Sequence, residues 1–136
     1  MVQNNSSDGN QAAFAEGVLD VKALDSLRAM QRPGQPNLLA RVIGVYLSHG
    51  PDRLQNLRDA VTQADPGALA FAAHRFRSDS AKLGATALVE LLRDLEMMGQ
   101  SETTENADLI LAQVEAEFSQ VYAALQAIPI EEPVGS

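Results

Sequence analysis

Asp65-Pro66 sets the frame for the middle of this chain. A carboxylate at the N-cap accepts a hydrogen bond from the open N–H groups of a first helical turn, and a proline just inside the helix has no N–H to satisfy. A helix is therefore expected from Pro66 to about Leu83, with Gly84 marking its end or a bend. Within it, Leu69, Ala73, Phe76, Ser80 and Leu83 recur at helical spacing and form an apolar stripe with one small polar break. Ala70, Phe71, His74, Arg77, Ser78, Ala81 and Lys82 fall on a neighbouring stripe that is small, polar and basic. His74 is five residues from Leu69, about 140° round a helix at ~100° per residue, and is expected to point off the core toward solvent.

The same punctuation divides the rest of the chain. Residues 1–16 are rich in Asn, Gln, Ser, Gly and Ala and read as a flexible lead-in. Asp20 caps a short first helix that runs to about Gln31, with Val21, Leu24, Leu27 and Met30 as its stripe. Pro33-Gly34-Gln35-Pro36 is a turn. Asn37 caps a segment 37–64 in which Leu38, Leu39, Val42, Ile43, Tyr46 and Leu47 are followed, after His49-Gly50-Pro51-Asp52, by Leu54, Leu57, Ala60 and Val61. A proline starts a helix or kinks one, so this is one kinked helix or two, and a pair of stacked segments acting as one rod is the favoured expectation. Leu88, Leu91, Leu92, Leu95 and Met98 mark a helix over 84–99, with Gly99 as its C-terminal cap. A polar turn follows at Ser101 to Thr104. The last helix, 105–127, carries Ile110, Val114, Phe118, Val121 and Leu125 on one face and stops at Pro129, before a tail over 129–136.

No stretch reads as a strand, and short connections make sequential helices antiparallel. The expected fold is all-α: an antiparallel up-and-down four-helix bundle, 17–128, with an additional short N-terminal helix across one end. Aromatic residues are 4% of the chain, with no Trp, so an aliphatic core is expected.

A net charge of −8 argues against a nucleic-acid partner, which needs a basic face. The absence of Cys excludes disulfides and thiolate metal sites. No run approaches the ~20 apolar residues of a membrane span, and the first ten residues lack the pattern of a secretory signal. A soluble, cytoplasmic protein is the expectation. His49 and His74 lie on different helices, and neither has a ligand partner three or four residues away, so no metal site is expected. Ser78, Asp79 and Ser80 share a helix with His74 and build no nucleophile turn. No Gly-rich phosphate loop exists; the nine glycines are scattered. His49 reads as a helix-terminating residue favoured by the C-terminal dipole, with Gly50 as its cap.

His74 differs from His49 in its surroundings. Ala70, Ser78 and Ala81 leave its imidazole sterically open, and Arg75, Arg77 and Lys82 make the stretch locally positive inside an acidic protein. An imidazole nitrogen is a competent nucleophile at neutral pH, and a neighbouring cation stabilises an added phosphoryl charge.

The run Ala73-His74-Arg75-Phe76-Arg77-Ser78-Asp79-Ser80-Ala81-Lys82-Leu83-Gly84-Ala85 resembles the signature of the histidine-containing phosphotransfer (HPt) domains of bacterial phosphorelays. There an Ala-His pair is followed by an apolar residue, a Lys, a small residue, Ser-Ala and Gly-Ala. Leu95-Glu96 and Gly99 also sit where that family often has Leu-Glu and Gly, and the resemblance covers about Leu19 to Leu125. It implies a four-helix bundle with His74 as an exposed phospho-acceptor, Arg77 as a phosphate-facing cation where Lys is usual, and Ser78 where Gly is commonest. Glu96 takes a position where some members place an imidazole-orienting Gln, and a carboxylate there can hold the ring N–H as carboxylates do for catalytic histidines. Asp79 is an unexpected negative charge, pointing to another face. Ala70, Phe71, Ser78, Ala81, Lys82 and Leu88 are the expected docking surface.

The function implied is a phosphotransfer intermediate in a two-component phosphorelay. His74 would accept a phosphoryl group from a receiver-domain aspartate and pass it to another. Implied partners are response-regulator receiver domains, with a hybrid sensor histidine kinase as a further candidate; Mg²⁺ would come from the receiver. The chain itself needs no cofactor, has nothing to bind ATP, and is expected to be a monomer. The alternative is a non-catalytic module that keeps this fold and uses the same face only to hold a partner.

Overall fold

The computed structural model describes residues 18–129. Among the described residues five helices follow one another: α1 (Val21–Ala29), α2 (Leu38–Thr62), α3 (Pro66–Lys82), α4 (Thr86–Gln100) and α5 (Ala107–Ala127). Among the described residues there is no strand. α3 packs against α2 and α4, and α5 against α4 and α2, which closes the up-and-down bundle expected from the short connections. The expected lead-in 1–16 and most of the tail, from Ile130 on, lie outside the described residues. No helix is long and apolar enough to cross a membrane, among the described residues.

Three of the expected caps are made. Asp20 accepts from the Lys22 N–H, Asn37 from Ala40 and Asp65 from Ala68, at 3.0, 2.9 and 3.1 Å. Gly84 takes a left-handed φ of +72° after α3, a conformation that costs glycine little. Its carbonyl accepts from the Asp20 N–H at 2.7 Å, which seats the start of α1 on the α3–α4 turn.

The segment 38–62 is one helix, with Pro51 inside it. Proline disfavours helical geometry in the preceding residue partly through that residue's Cβ; Gly50 has none. Gly50 is buried, and a Cβ there would lie 2.6 Å from Cζ of Phe118. His49 therefore terminates nothing and Gly50 caps nothing. Both are inside α2, and glycine is needed there for the approach of α5.

Gly99 is corrected in the same way. It lies within α4, two residues before the C-cap Ser101. A Cβ on Gly99 would stand 2.5 Å from the Pro66 carbonyl oxygen and 2.7 Å from the Ala70 nitrogen. These are backbone atoms and cannot step aside, so this glycine sets the spacing of α4 against α3. Gly99→Ala is expected to lower stability by about 1–3 kcal/mol, the usual cost of overpacking, read as a fall in the urea midpoint.

The core is less purely aliphatic than composition suggests. Leu57, Leu69, Leu88, Leu92, Leu95, Val114, Val121 and Leu125 fill most of it. Three aromatics also lie in it: the Phe76 and Phe118 rings meet edge to face at 5.3 Å and Tyr46 lies 6.2 Å from Phe76. The polar break at Ser80 is fully buried and joined to the Tyr46 hydroxyl at 2.8 Å. Burial pushes the Tyr46 hydroxyl well above its ordinary pKa, against the Ser80 hydrogen bond, so it stays a neutral partner for Ser80.

Candidate functional site

The N-cap at Asp65 fixes where α3 begins, and the buried row Leu69, Ala73, Phe76 and Ser80 fixes which way it faces. His74 is thereby turned outward at mid-helix, with 57% of its side chain exposed. Across the α3–α4 seam stands Glu96, held by buried Leu92, Leu95 and Gly99 on its own helix. Only 11% of the Glu96 side chain is exposed.

These two residues and Arg77 form one cluster. Glu96 Oε2 is 2.9 Å from His74 Nδ1. Glu96 Oε1 accepts from the Arg77 guanidinium at 2.7 Å. Arg77 Nη2 also lies 3.2 Å from His74 Nδ1. Guanidinium nitrogens only donate and carboxylate oxygens only accept, so Nδ1 cannot satisfy both neighbours. The shorter contact to a charged acceptor places the proton on Nδ1, donated to Glu96. Arg77 is then a neighbouring charge rather than a hydrogen-bond donor to the ring. With the proton there, the ring's lone pair is on Nε2.

Burial pushes the Glu96 carboxyl up, but hydrogen bonds from Arg77 and then His74, with their charges, outweigh it and hold it below the usual carboxylate range. The hydrogen bond to Glu96 raises the Arg77 pKa in turn, opposed by its own desolvation. Glu96 is therefore ionised at neutral pH and accepts from both partners.

Around the imidazole, Ala70 is half-buried and Ser78, Ala81 and Lys82 are exposed. Phe71 is 64% exposed, and the Arg75 guanidinium sits 5.6 Å from its ring centroid. These residues share one open face with His74. Leu88 does not: it is wholly buried. It lies on the same inward stripe of α4 as Leu92 and Leu95, and so has no part in the docking surface expected from the sequence. On the Lys82 side the face runs into a groove of about 380 Å³ between α2 and α3, with Val42 and Val45 in its lining and Arg41, Arg53 and Lys82 among its charged groups.

Two features of this region depend on contacts between helices. Asp79 pairs with Arg53 of α2 at 2.9 Å, which accounts for the unexpected negative charge near the histidine. Gly99, three residues past Glu96, lets α4 come close enough for that carboxylate to reach His74. The sequence offers only the place of Gly99 after Leu95-Glu96, where it reads equally well as a cap.

The profile of the family described as "Hpt domain" matches residues 41–127. No curated protein sequence matches the chain. Among solved structures, it is similar to histidine-containing phosphotransfer protein B from Pseudomonas aeruginosa PAO1, with a TM-score of 0.72 and 25% identity, over 79% of this chain and 90% of that one. It is similar in fold to a histidine-containing phosphotransfer protein from maize, with a TM-score of 0.70 and 21% identity, over 85% and 91% of the two chains. A third, from Medicago truncatula, has a TM-score of 0.73 and 21% identity over 88% and 82%. The bundle, the outward histidine at the centre of α3 and the match over 41–127 lead to one assignment: this chain belongs to the Hpt domain family.

Proposed function

We propose that this domain is a phosphorelay intermediate whose acceptor atom is Nε2 of His74. Membership in the Hpt family supports a phosphotransfer role in two-component signalling and interaction with response-regulator receiver domains. The observation that carries the atomic assignment is the hydrogen bond from Nδ1 to Glu96, which leaves the exposed ring nitrogen free to attack.

The receiver presents a phosphoryl group on an aspartate. The Nε2 lone pair attacks phosphorus in line, the N–P bond forms, and the P–O bond breaks to release the aspartate as a carboxylate. Passing the group on to another receiver reverses these steps. Such transfers depend on alignment and charge neutralisation more than on covalent machinery by the protein. Glu96 supplies alignment by holding the ring through Nδ1. Arg77 supplies positive charge beside the ring, tempered by its pairing with Glu96. Mg²⁺ belongs to the receiver in this scheme, where it would neutralise charge on the transferring phosphoryl group.

Docking falls to the face shared by Ala70, Phe71, Ser78, Ala81 and Lys82. Small residues around His74 admit the partner's phosphoaspartate, and Phe71 is a large exposed apolar side chain on the same helix face. Phe71→Ala is expected to weaken receiver binding roughly tenfold, as for an aromatic anchor at an interface. Its stability should stay within about 0.5 kcal/mol of the parent, because the ring is exposed. Calorimetric titration and a thermal melt check the two halves.

The reading is tested by mixing the domain with receivers carrying a radiolabelled aspartyl phosphate. It expects label on this chain that is lost in acid and kept in base. Failure of every receiver from the same genome to transfer label would sink it.

A further inference from the structure

The acceptor ring's inner nitrogen faces a full negative charge. The groups that reach it are Glu96 from α4, with Oε2 at 2.9 Å, and Arg77 from its own helix, with Nη2 at 3.2 Å. Glu96 spends its other oxygen on Arg77, so Oε2 is left to the imidazole. A neutral amide oxygen at the same place would accept the same hydrogen bond and orient the ring equally well. The charge must matter for something other than orientation.

It matters after the phosphoryl group arrives. With phosphorus on Nε2 and a proton still on Nδ1, the ring is a cation. Breaking the N–P bond then returns the electron pair to Nε2 and expels neutral imidazole, a good leaving group. If Nδ1 had lost its proton, the same cleavage would expel an imidazolate, a far poorer one. A carboxylate against Nδ1–H stabilises the cationic ring directly. Its charge also repels the incoming phosphoryl oxygens, which further disfavours the loaded state.

We propose that Glu96 is a positioning residue that keeps the Nδ1 proton on phosphorylated His74, and so makes the phosphohistidine a short-lived and readily discharged donor. Arg77 moderates this by drawing on the same carboxylate. The proposal rests on His74 being the phosphoryl acceptor, and adds that the charge at position 96 sets how long the group stays and where the transfer equilibrium lies.

Glu96→Gln separates charge from orientation. Each protein is loaded from a phosphorylated receiver, isolated, and followed for loss of phosphate and for return transfer to the unphosphorylated receiver. The variant's phosphohistidine should persist roughly tenfold longer, and its equilibrium with the receiver should move toward phosphohistidine by a similar factor. That is the factor expected when a charge-assisted hydrogen bond becomes a neutral one. Glu96→Asp should lie nearer the parent. The ¹⁵N shift of His74 Nδ1 in the loaded proteins at pH 8 gives a second readout. It should be that of a protonated nitrogen in the parent and of an unprotonated one in Glu96→Gln. Equal lifetimes with equal Nδ1 shifts, or a shorter lifetime in Glu96→Gln, would overturn the role of Glu96 while leaving His74 as acceptor. No loading of the parent protein would instead overturn the acceptor assignment itself.

Discussion

His74→Gln is expected to fold like the parent protein and to take up no phosphoryl group from any receiver that labels the parent. The side chain is mostly exposed and its one strong contact is the hydrogen bond to Glu96, which a glutamine amide can also make. Stability should therefore change by no more than about 1 kcal/mol, the net worth of a typical hydrogen bond. Transfer, by contrast, should fall to background, at least ~10³-fold, because no other nucleophile stands in that place. Ser78 is one turn away on the same face, but an unactivated hydroxyl is a weak nucleophile and no general base is paired with it. Labelling is read by autoradiography and folding by a thermal melt of the same samples.

Phe76→Ala has the opposite profile. Its ring is fully buried, meets Phe118 edge to face and lies beside Tyr46, at the point where α2, α3 and α5 converge. Removing it deletes the largest of the fully buried side chains and leaves a cavity that three helices must collapse to fill. The cost is about 3–5 kcal/mol, a large share of the 5–15 kcal/mol typical of a domain. The chemical-denaturation midpoint should fall sharply, and the protein should lose cooperative unfolding if its margin is small. Because Phe76 is two residues from His74 on the helix, its loss also loosens the face that presents the imidazole. Receiver labelling should drop in proportion to the fraction unfolded, whereas in His74→Gln it drops with the fold intact.

These two residues also mark what the sequence discloses and what it conceals. The orientation of α3 was readable because its causes are local. Asp65-Pro66 starts the helix, and the Leu69, Ala73, Phe76, Ser80 row decides which side turns inward, so the exposure of His74 follows from spacing alone. Where a residue's role depends on a distant helix, local signals mislead. Gly50-Pro51 has the composition of a break, yet α2 continues through it, and the missing Cβ admits the Phe118 ring. Gly99 near a helix end reads as a cap, yet it is the contact point between α4 and α3. Both jobs need a residue without a Cβ, and one sequence cannot distinguish them. Leu88 fits two places by sequence, the inward stripe of α4 and the docking surface; burial decides for the stripe. The Arg53–Asp79 and Tyr46–Ser80 pairs required the register between α2 and α3, which no periodicity within either helix contains. Glu96 was singled out by its position in the family pattern, whereas its reach to Nδ1 depends on Gly99 three residues further on.

The most direct test of the central claim is the position of the phosphoryl group on the ring. Phosphorus NMR of the domain, loaded from a phosphorylated receiver and kept at alkaline pH, distinguishes phosphate on Nε2 from phosphate on Nδ1. With Nδ1 hydrogen-bonded to Glu96 and Nε2 exposed, one resonance is expected, that of Nε2-phosphohistidine, and it should be absent from His74→Gln. A resonance from Nδ1-phosphohistidine, or a phosphoryl signal that survives in His74→Gln, would contradict the account.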